Sequence, residues 1–133
     1  MVQLLACSPD TDMTTACHPV ESEQELNNPN VVKVVFDAER RALYFSRSAV
    51  PSGALRGGCP TAYRHIGMYA YRKESLLRFT SYEPTPLERA EGLEQLRALE
   101  HGMVIKLVIA DEPTFGVDAP EDVKKVEKVL GSI

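Results

Sequence analysis

The sequence predicts one α/β domain over residues 1–133, with a mixed sheet and an internal β-hairpin. β-prone runs alternate with helix-prone runs along the chain, which is the pattern of layered α/β domains. Two β-prone runs, Val31–Phe36 and Ala42–Ser46, are separated by a short polar connection, and this spacing predicts the hairpin. A hydrophobic fraction of 44% over 133 residues is enough to bury one core.

Before the hairpin, the chain is predicted to form a short helix, a strand and a second short helix. Val2–Cys7 is apolar and typical of the end of a helix, whereas Met13–Val20 suits a strand. Between them, Ser8–Asp12 has the composition of a turn. Glu21–Asn27 is polar and helix-prone, and the helix is expected to end at Asn28-Pro29-Asn30.

After the hairpin, the pattern predicts a loop, a strand, a short helix and a further strand. Val50–Tyr63 carries three Gly and two Pro, which indicates a loop. Arg64–Tyr71 is β-prone, and Lys73–Thr80 favours a short helix. Met103–Ala110 is short and hydrophobic, which is typical of a strand buried in a sheet.

The clearest helix signal begins at Thr85. Thr85 can cap a helix, Pro86 suits its first position, and Glu88 can complete a capping box. The helix is expected to run to about His101 and to end at Gly102. One side of it is apolar and the other is polar. The polar residues are Glu88, Glu91, Glu94 and Gln95.

Charge and cysteine content exclude several classes of function. The net charge is −4 and the basic residues are scattered, so nucleic acid and anionic membranes are not expected as partners. The longest apolar stretch is too short to span a bilayer, and the first residues lack the pattern of a signal peptide. Cys7, Cys17 and Cys59 share no CxxC spacing, which favours reduced thiols in a cytoplasm.

Two groups of residues could bind a ligand, although the sequence has no phosphate-binding loop and no nucleophile elbow. By period-two counting, His65 and Tyr69 lie on one face of a strand and could reach one ligand. The alternative is a half-buried histidine in a packed sheet. Glu94 and Gln95 lie on the polar side of the helix, which could bind sugar hydroxyls or could be an ordinary solvated face.

A third candidate is Asp118, which follows a hydrophobic strand where open α/β sheets tend to place ligands. It could hold Mg²⁺, which takes oxygen ligands and often needs only one or two carboxylates from the protein. The alternative is a helix cap, because Asp118 is followed three residues later by Glu121. Both roles could coexist, since a carboxylate has two oxygens.

Five segments, read together, resemble the 3-deoxy-manno-octulosonate cytidylyltransferases, which are the CMP-Kdo synthetases of lipopolysaccharide assembly. They occur in family order across nearly the whole chain. The segments are Asn28–Val35, Ala42–Arg47, Arg64–Arg72, Pro86–Glu88 with Leu93–Arg97, and Gly116–Asp122. The resemblance implies the C-terminal portion of a three-layer, Rossmann-like nucleotidyltransferase fold.

The resemblance also implies a reaction, in which CTP and Kdo give CMP-Kdo and diphosphate. Mg²⁺ would neutralise charge on the phosphates, so catalysis would rest on positioning and electrostatics. The residues implied to contact the sugar acid are Arg47, His65, Tyr69, Glu94 and Gln95. Asp118 matches one of two aspartates that hold magnesium. CTP and Kdo would be the partners in the complete enzyme, which would be cytoplasmic.

The chain departs from the family in length and in one loop. Family members are roughly twice as long, so the CTP-gripping N-terminal part is expected to be absent and this part inactive alone. Removing half of a sheet exposes strand edges, which favours a homodimer. The loop after Arg47 lacks the usual charged cluster, and Arg56 is a poor candidate for a second sugar-binding arginine. The alternatives are a non-catalytic binding or assembly module and a cytidylyltransferase for another acidic sugar.

Overall fold

A computed structural model describes residues 1–54 and 62–110 of the chain. This part contains five helices and five strands. In chain order they are α1 (Val2–Cys7), β1 (Met13–Pro19), α2 (Glu23–Asn27), β2 (Lys33–Phe36), β3 (Ala42–Ser46), β4 (Tyr63–Tyr71), α3 (Lys73–Ser81), α4 (Pro86–Glu91), α5 (Gln95–Glu100) and β5 (Ile105–Ile109). The strands β2, β3 and β4 are consecutive, and so are the helices α3, α4 and α5. Asp118, its predicted helix and residues 55–61 of the predicted loop lie outside the described residues.

Within the described residues the strands form one mixed sheet, in the order β3-β2-β4-β1-β5. β1 and β5 are parallel, and the other neighbouring pairs are antiparallel. β2 and β3 are the predicted hairpin. Its turn is fixed by the Asp37 carboxylate, which accepts hydrogen bonds from the backbone N–H groups of Glu39 and Arg41, each at 2.9 Å. The predicted α/β fold with a mixed sheet and an internal hairpin is confirmed.

The hairpin also reaches the other end of the sheet. Arg41 forms an isolated antiparallel bridge with Lys106 of β5, and the Leu107 N–H donates to the Arg40 carbonyl at 2.9 Å. The described sheet therefore curls until its two ends meet. This contact covers a strand edge that would otherwise present free N–H and C=O groups.

The main core lies between the sheet and the helices that follow β4. Strand residues supply most of it, and α5 contributes Leu96 and Ala98. Its fully buried side chains include Met13, Val34, Phe45, Leu96, Ile105 and Leu107. Five of these six come from strands, so the sheet supplies most of the core.

The structure corrects the prediction of a single helix from Thr85 to His101. The chain leaves helical geometry at Gly92, which has φ 69° and caps α4, and it resumes as α5 at Gln95. Only glycine adopts this left-handed conformation without strain, so it ends the helix before the next turn can form. The predicted stop at Gly102, with φ 75°, is confirmed. Two short helices, α4 and α5, therefore replace the single predicted helix, and residues 92–94 form the corner between them.

The predicted capping box at Thr85 and Glu88 is wrong. The Thr85 side chain makes no cap hydrogen bond, and its Oγ1 is buried without a partner among the described residues. Glu88 is also buried, contrary to its predicted place on a polar face. Arg97 holds it through Nε, 2.9 Å from both carboxylate oxygens, and lies over the Phe79 ring at 5.2 Å. This ion pair ties α4 to α5, and its hydrogen bonds lower the pKa of Glu88.

Lys33 is fully buried, although the sequence predicts only an ordinary strand residue there. Its Nζ donates to the carbonyls of Asn28, Val31 and Arg47 at 2.9, 2.5 and 2.6 Å. All three protons of the ammonium group are used in this way, while burial lowers the pKa of Lys33. The lysine therefore fixes the chain that leaves β3, where Arg47 lies.

The described residues contain no helix that is long and apolar enough to cross a bilayer.

Candidate functional site

A bulge in β4 brings His65 and Tyr69 together. Opposite β1, Thr15 pairs with Tyr69 and Ala16 pairs with Ile66, so two residues of β4 are extra at this point. A regular strand would separate residues four apart by about 13 Å. The two extra residues lie between His65 and Tyr69, and the ring centroids of these two residues are 5.5 Å apart. Their predicted common face is therefore confirmed.

His65 lies in a pocket of aromatic and hydroxyl groups. Its ring meets the edge of Phe45 with centroids 5.0 Å apart, and its Nε2 lies 2.8 Å from the Thr15 hydroxyl oxygen. Burial lowers the pKa of His65 from 6.5 to about 4, so the imidazole is neutral at physiological pH. A neutral imidazole has one N–H donor and one acceptor nitrogen, which suits hydrogen bonding to hydroxyls.

Tyr69 and Tyr71 form a stacked aromatic pair on β4. Their ring centroids are 5.7 Å apart with an interplanar angle of 29°. Burial raises the pKa of both phenols, and the nearby charge of Glu94 raises both further. Glu94 is exposed and precedes α5. The charge of Glu94 therefore acts on both phenols of β4.

Gln95 follows Glu94 as the first residue of α5 and is 8% exposed. Its amide makes no hydrogen bond to the described residues. Arg64 Nε and Thr85 Oγ1 are the described side-chain atoms that are fully enclosed and unpaired, whereas the Gln95 amide is not fully enclosed. The Gln95 amide is thus nearly buried and still reachable from outside.

Arg47 holds the corner between α4 and α5. Its Nε, Nη1 and Nη2 donate to the carbonyls of Glu91, Pro29 and Gly92 at 2.9, 3.1 and 3.4 Å. Three of its five N–H donors are used on backbone oxygens, which leaves two. The family resemblance implies only that Arg47 contacts the sugar acid, whereas the structure shows that its guanidinium also ties the end of α4 to the chain before β2.

Glu91 completes this corner, a role that sequence reasoning missed. Its carboxylate accepts from the Tyr44 hydroxyl at 3.0 Å and from the Arg47 N–H at 3.2 Å. Burial would raise the pKa of Glu91, but hydrogen bonds from Ser46, Arg47 and Tyr44 together lower it. The end of β3 is therefore fixed against the end of α4, and the only sequence signal was a glutamate on a presumed solvated face.

No group of three or more His, Cys, Asp or Glu side chains in residues 1–54 and 62–110 could hold a metal ion. Cys17 and His18 are both buried in β1, and burial raises the pKa of the Cys17 thiol to about 11. These neighbours are strand residues, as their alternating geometry predicts. Asp118, the predicted magnesium ligand, lies outside the described part of the chain.

The sequence profile of the cytidylyltransferases matches residues 1–106 of this chain. The chain belongs to the cytidylyltransferase family. The 3-deoxy-manno-octulosonate cytidylyltransferase of Syntrophobacter fumaroxidans is 47% identical to it, over 98% of the chain and 52% of the relative. That of Chlamydia pneumoniae is 45% identical, over 98% of the chain and 50% of the relative.

A solved structure agrees with this assignment to the cytidylyltransferases. It is the CMP:2-keto-3-deoxy-manno-octonic acid synthetase complexed with CTP, at a TM-score of 0.83 and 35% identity. The match covers 98% of this chain and 54% of that one. The predicted family resemblance is confirmed, and the chain spans about half the length of the curated relatives it matches. That this half is the C-terminal one stays a prediction.

Proposed function

We propose that this chain forms the sugar-acid-binding part of an enzyme that transfers CMP from CTP to Kdo. The names of its cytidylyltransferase relatives include this sugar acid, and the matching solved structure is a complex with CTP. Two of the predicted sugar-binding residues, His65 and Tyr69, are in ring contact on β4. Arg47 donates to the end of α4, close in sequence to Glu94 and Gln95. This arrangement suits a ligand with many hydroxyls and one carboxylate.

The unpartnered amide of Gln95 carries this proposal. A polar group that has no protein partner but can be reached from outside is free to hydrogen-bond to a ligand. Gln95 is almost buried, and its amide has no protein partner in the described residues. An amide can donate and accept, which fits a sugar hydroxyl. A bound sugar would satisfy this group, and Glu94 beside it would accept a second hydroxyl.

Arg47 would supply positive charge for the carboxylate of the sugar acid. Two of its N–H donors remain after three are used on backbone carbonyls. A guanidinium fixed by three hydrogen bonds loses little side-chain entropy when it binds an anion. We therefore assign Arg47 both a structural and an electrostatic role.

Magnesium is part of the proposal through Asp118. Mg²⁺ often takes only one or two protein carboxylates together with substrate phosphates, so one carboxylate from this chain fits its donor preference. The ion would neutralise charge on the phosphates of CTP. We also propose that the complete protein is a homodimer and acts in the cytoplasm in lipopolysaccharide synthesis.

Replacing Gln95 by leucine is expected to weaken Kdo binding about tenfold, because one or more hydrogen bonds are lost without a change in bulk. The measurement is isothermal titration calorimetry of the chain with Kdo. Gln24→Leu is the matched control, because Gln24 is an exposed glutamine on α2. The control should bind Kdo like the unchanged chain.

A sugar panel identifies the ligand class in the same experiment. Kdo should bind more tightly than N-acetylneuraminic acid and than a neutral sugar of similar size. Equal weakening by both glutamine substitutions would contradict the site, and an absence of Kdo binding would contradict the proposed function. Tighter binding of the sialic acid would reassign the chain to another acidic sugar.

A further inference from the structure

Thr15 of β1 is fully buried beside the bulge in β4. Its hydroxyl oxygen lies 2.7 Å from the Met68 carbonyl, 3.2 Å from the Ile66 carbonyl and 2.8 Å from His65 Nε2. Two of these neighbours are backbone oxygens, and the third is a ring nitrogen that can either donate or accept. The hydroxyl is therefore surrounded by more acceptors than it has protons.

The proton count at this hydroxyl decides the form of His65. A carbonyl oxygen can only accept, and a threonine hydroxyl has one proton and two lone pairs. The proton of Thr15 is directed to a backbone carbonyl, with Met68 the nearer one. His65 Nε2, at 2.8 Å, must then be the donor to the Thr15 oxygen. The neutral ring consequently carries its proton on Nε2 and has a bare Nδ1.

The bare nitrogen is open to a ligand. Nδ1 has no hydrogen-bond partner in the described part of the chain, and it is not one of the fully enclosed unpaired atoms there. The ring itself is held between Phe45 and Tyr69. The orientation of the ring is therefore fixed, and Nδ1 remains an unused acceptor.

We propose that Thr15 is a positioning residue that holds His65 in the Nε2–H form and so presents Nδ1 as an acceptor for a ligand hydroxyl. This goes beyond the proposed function by assigning the direction of one hydrogen bond, and it rests on that function only for the ligand's identity. A ligand hydroxyl must donate at this point. A ligand with an ether oxygen in its place would put an acceptor against the acceptor Nδ1 and be rejected.

The ring nitrogens of His65 test the proposal without any ligand. Long-range ¹⁵N–¹H spectra of the chain distinguish the two neutral tautomers. The unchanged chain and Thr15→Ser, which keeps the hydroxyl, should show the Nε2–H form with its proton protected from exchange. Thr15→Val keeps the shape but leaves Nε2–H buried without a partner, so the Nδ1–H form should become populated. An Nδ1–H ring in the unchanged chain, or a Thr15→Val spectrum identical to it, would overturn the proposal.

Kdo affinity provides the second readout. Thr15→Val should weaken Kdo binding about tenfold, whereas Thr15→Ser should stay within about twofold of the unchanged chain. A folded Thr15→Val chain with full Kdo affinity would overturn the role in binding. Because the tautomer is measured in the free chain, a correct tautomer with no Kdo binding would sink the proposed function and not the hydrogen-bond assignment.

Discussion

Replacing Phe45 by alanine is expected to lower the free energy of unfolding by about 3–5 kcal/mol. Phe45 is fully buried in the main core and lies in β3, next to the hairpin partner Val34. Truncation removes a large apolar side chain and leaves a cavity that the close-packed core around it fills only in part. Urea denaturation followed by circular dichroism measures the change.

The same strand provides the control for Phe45. Leu43 is also an apolar residue of β3, but it is 61% exposed. Leu43→Ala should change the free energy of unfolding by about 0.5 kcal/mol or less. Similar losses for both substitutions would show that β3 does not pack against the core as described. Phe45→Ala should also broaden the ring signals of His65, because the two rings are in edge contact.

His65 is expected to make the folded chain less stable as the pH falls from about 6.5 to about 4. Burial lowers the pKa of His65 in the folded state to about 4, compared with 6.5 for a free histidine. Between these values the unfolded chain binds a proton that the folded chain does not, so acid favours unfolding. A shift of this size corresponds to about 3 kcal/mol. Below pH 4 both states are protonated at this residue, and its contribution stops changing.

His65→Gln tests this pH dependence, because glutamine does not titrate and can still donate to Thr15. From pH 7 to pH 4, the urea midpoint of the unchanged chain should fall more steeply than that of the variant. Parallel curves for His65→Gln and the unchanged chain would show that His65 is not buried in its neutral form.

Much of the sheet could be predicted because its signals are local. The hairpin followed from two β-prone runs around a polar turn, and Asp37 supplies the turn through its own carboxylate. The common face of His65 and Tyr69 followed from period-two counting. Counting could not give the distance between the rings, because the bulge in β4 depends on how β1 pairs with it. Thr15 was missed for the same reason.

The helical part was harder to predict because tertiary contacts overrode local signals. Thr85 and Glu88 have the sequence of a capping box, but Glu88 pairs with Arg97 in a buried position instead. Gly92 interrupts a pattern that otherwise favours one long helix. Its significance depends on Arg47, which binds the Glu91 and Gly92 carbonyls across the corner. Such partners are distant in sequence, so no local pattern indicates them.

Isotope-filtered nuclear Overhauser spectra of the labelled chain with Kdo test the proposed site most directly. Contacts are expected from the sugar protons to the rings of His65 and Tyr69 and to the amide of Gln95. These residues come from two elements, β4 and α5. One bound sugar can contact all three only if it lies between these elements. Contacts confined to another surface, such as the exposed Leu76 and Leu77 of α3, would contradict the site.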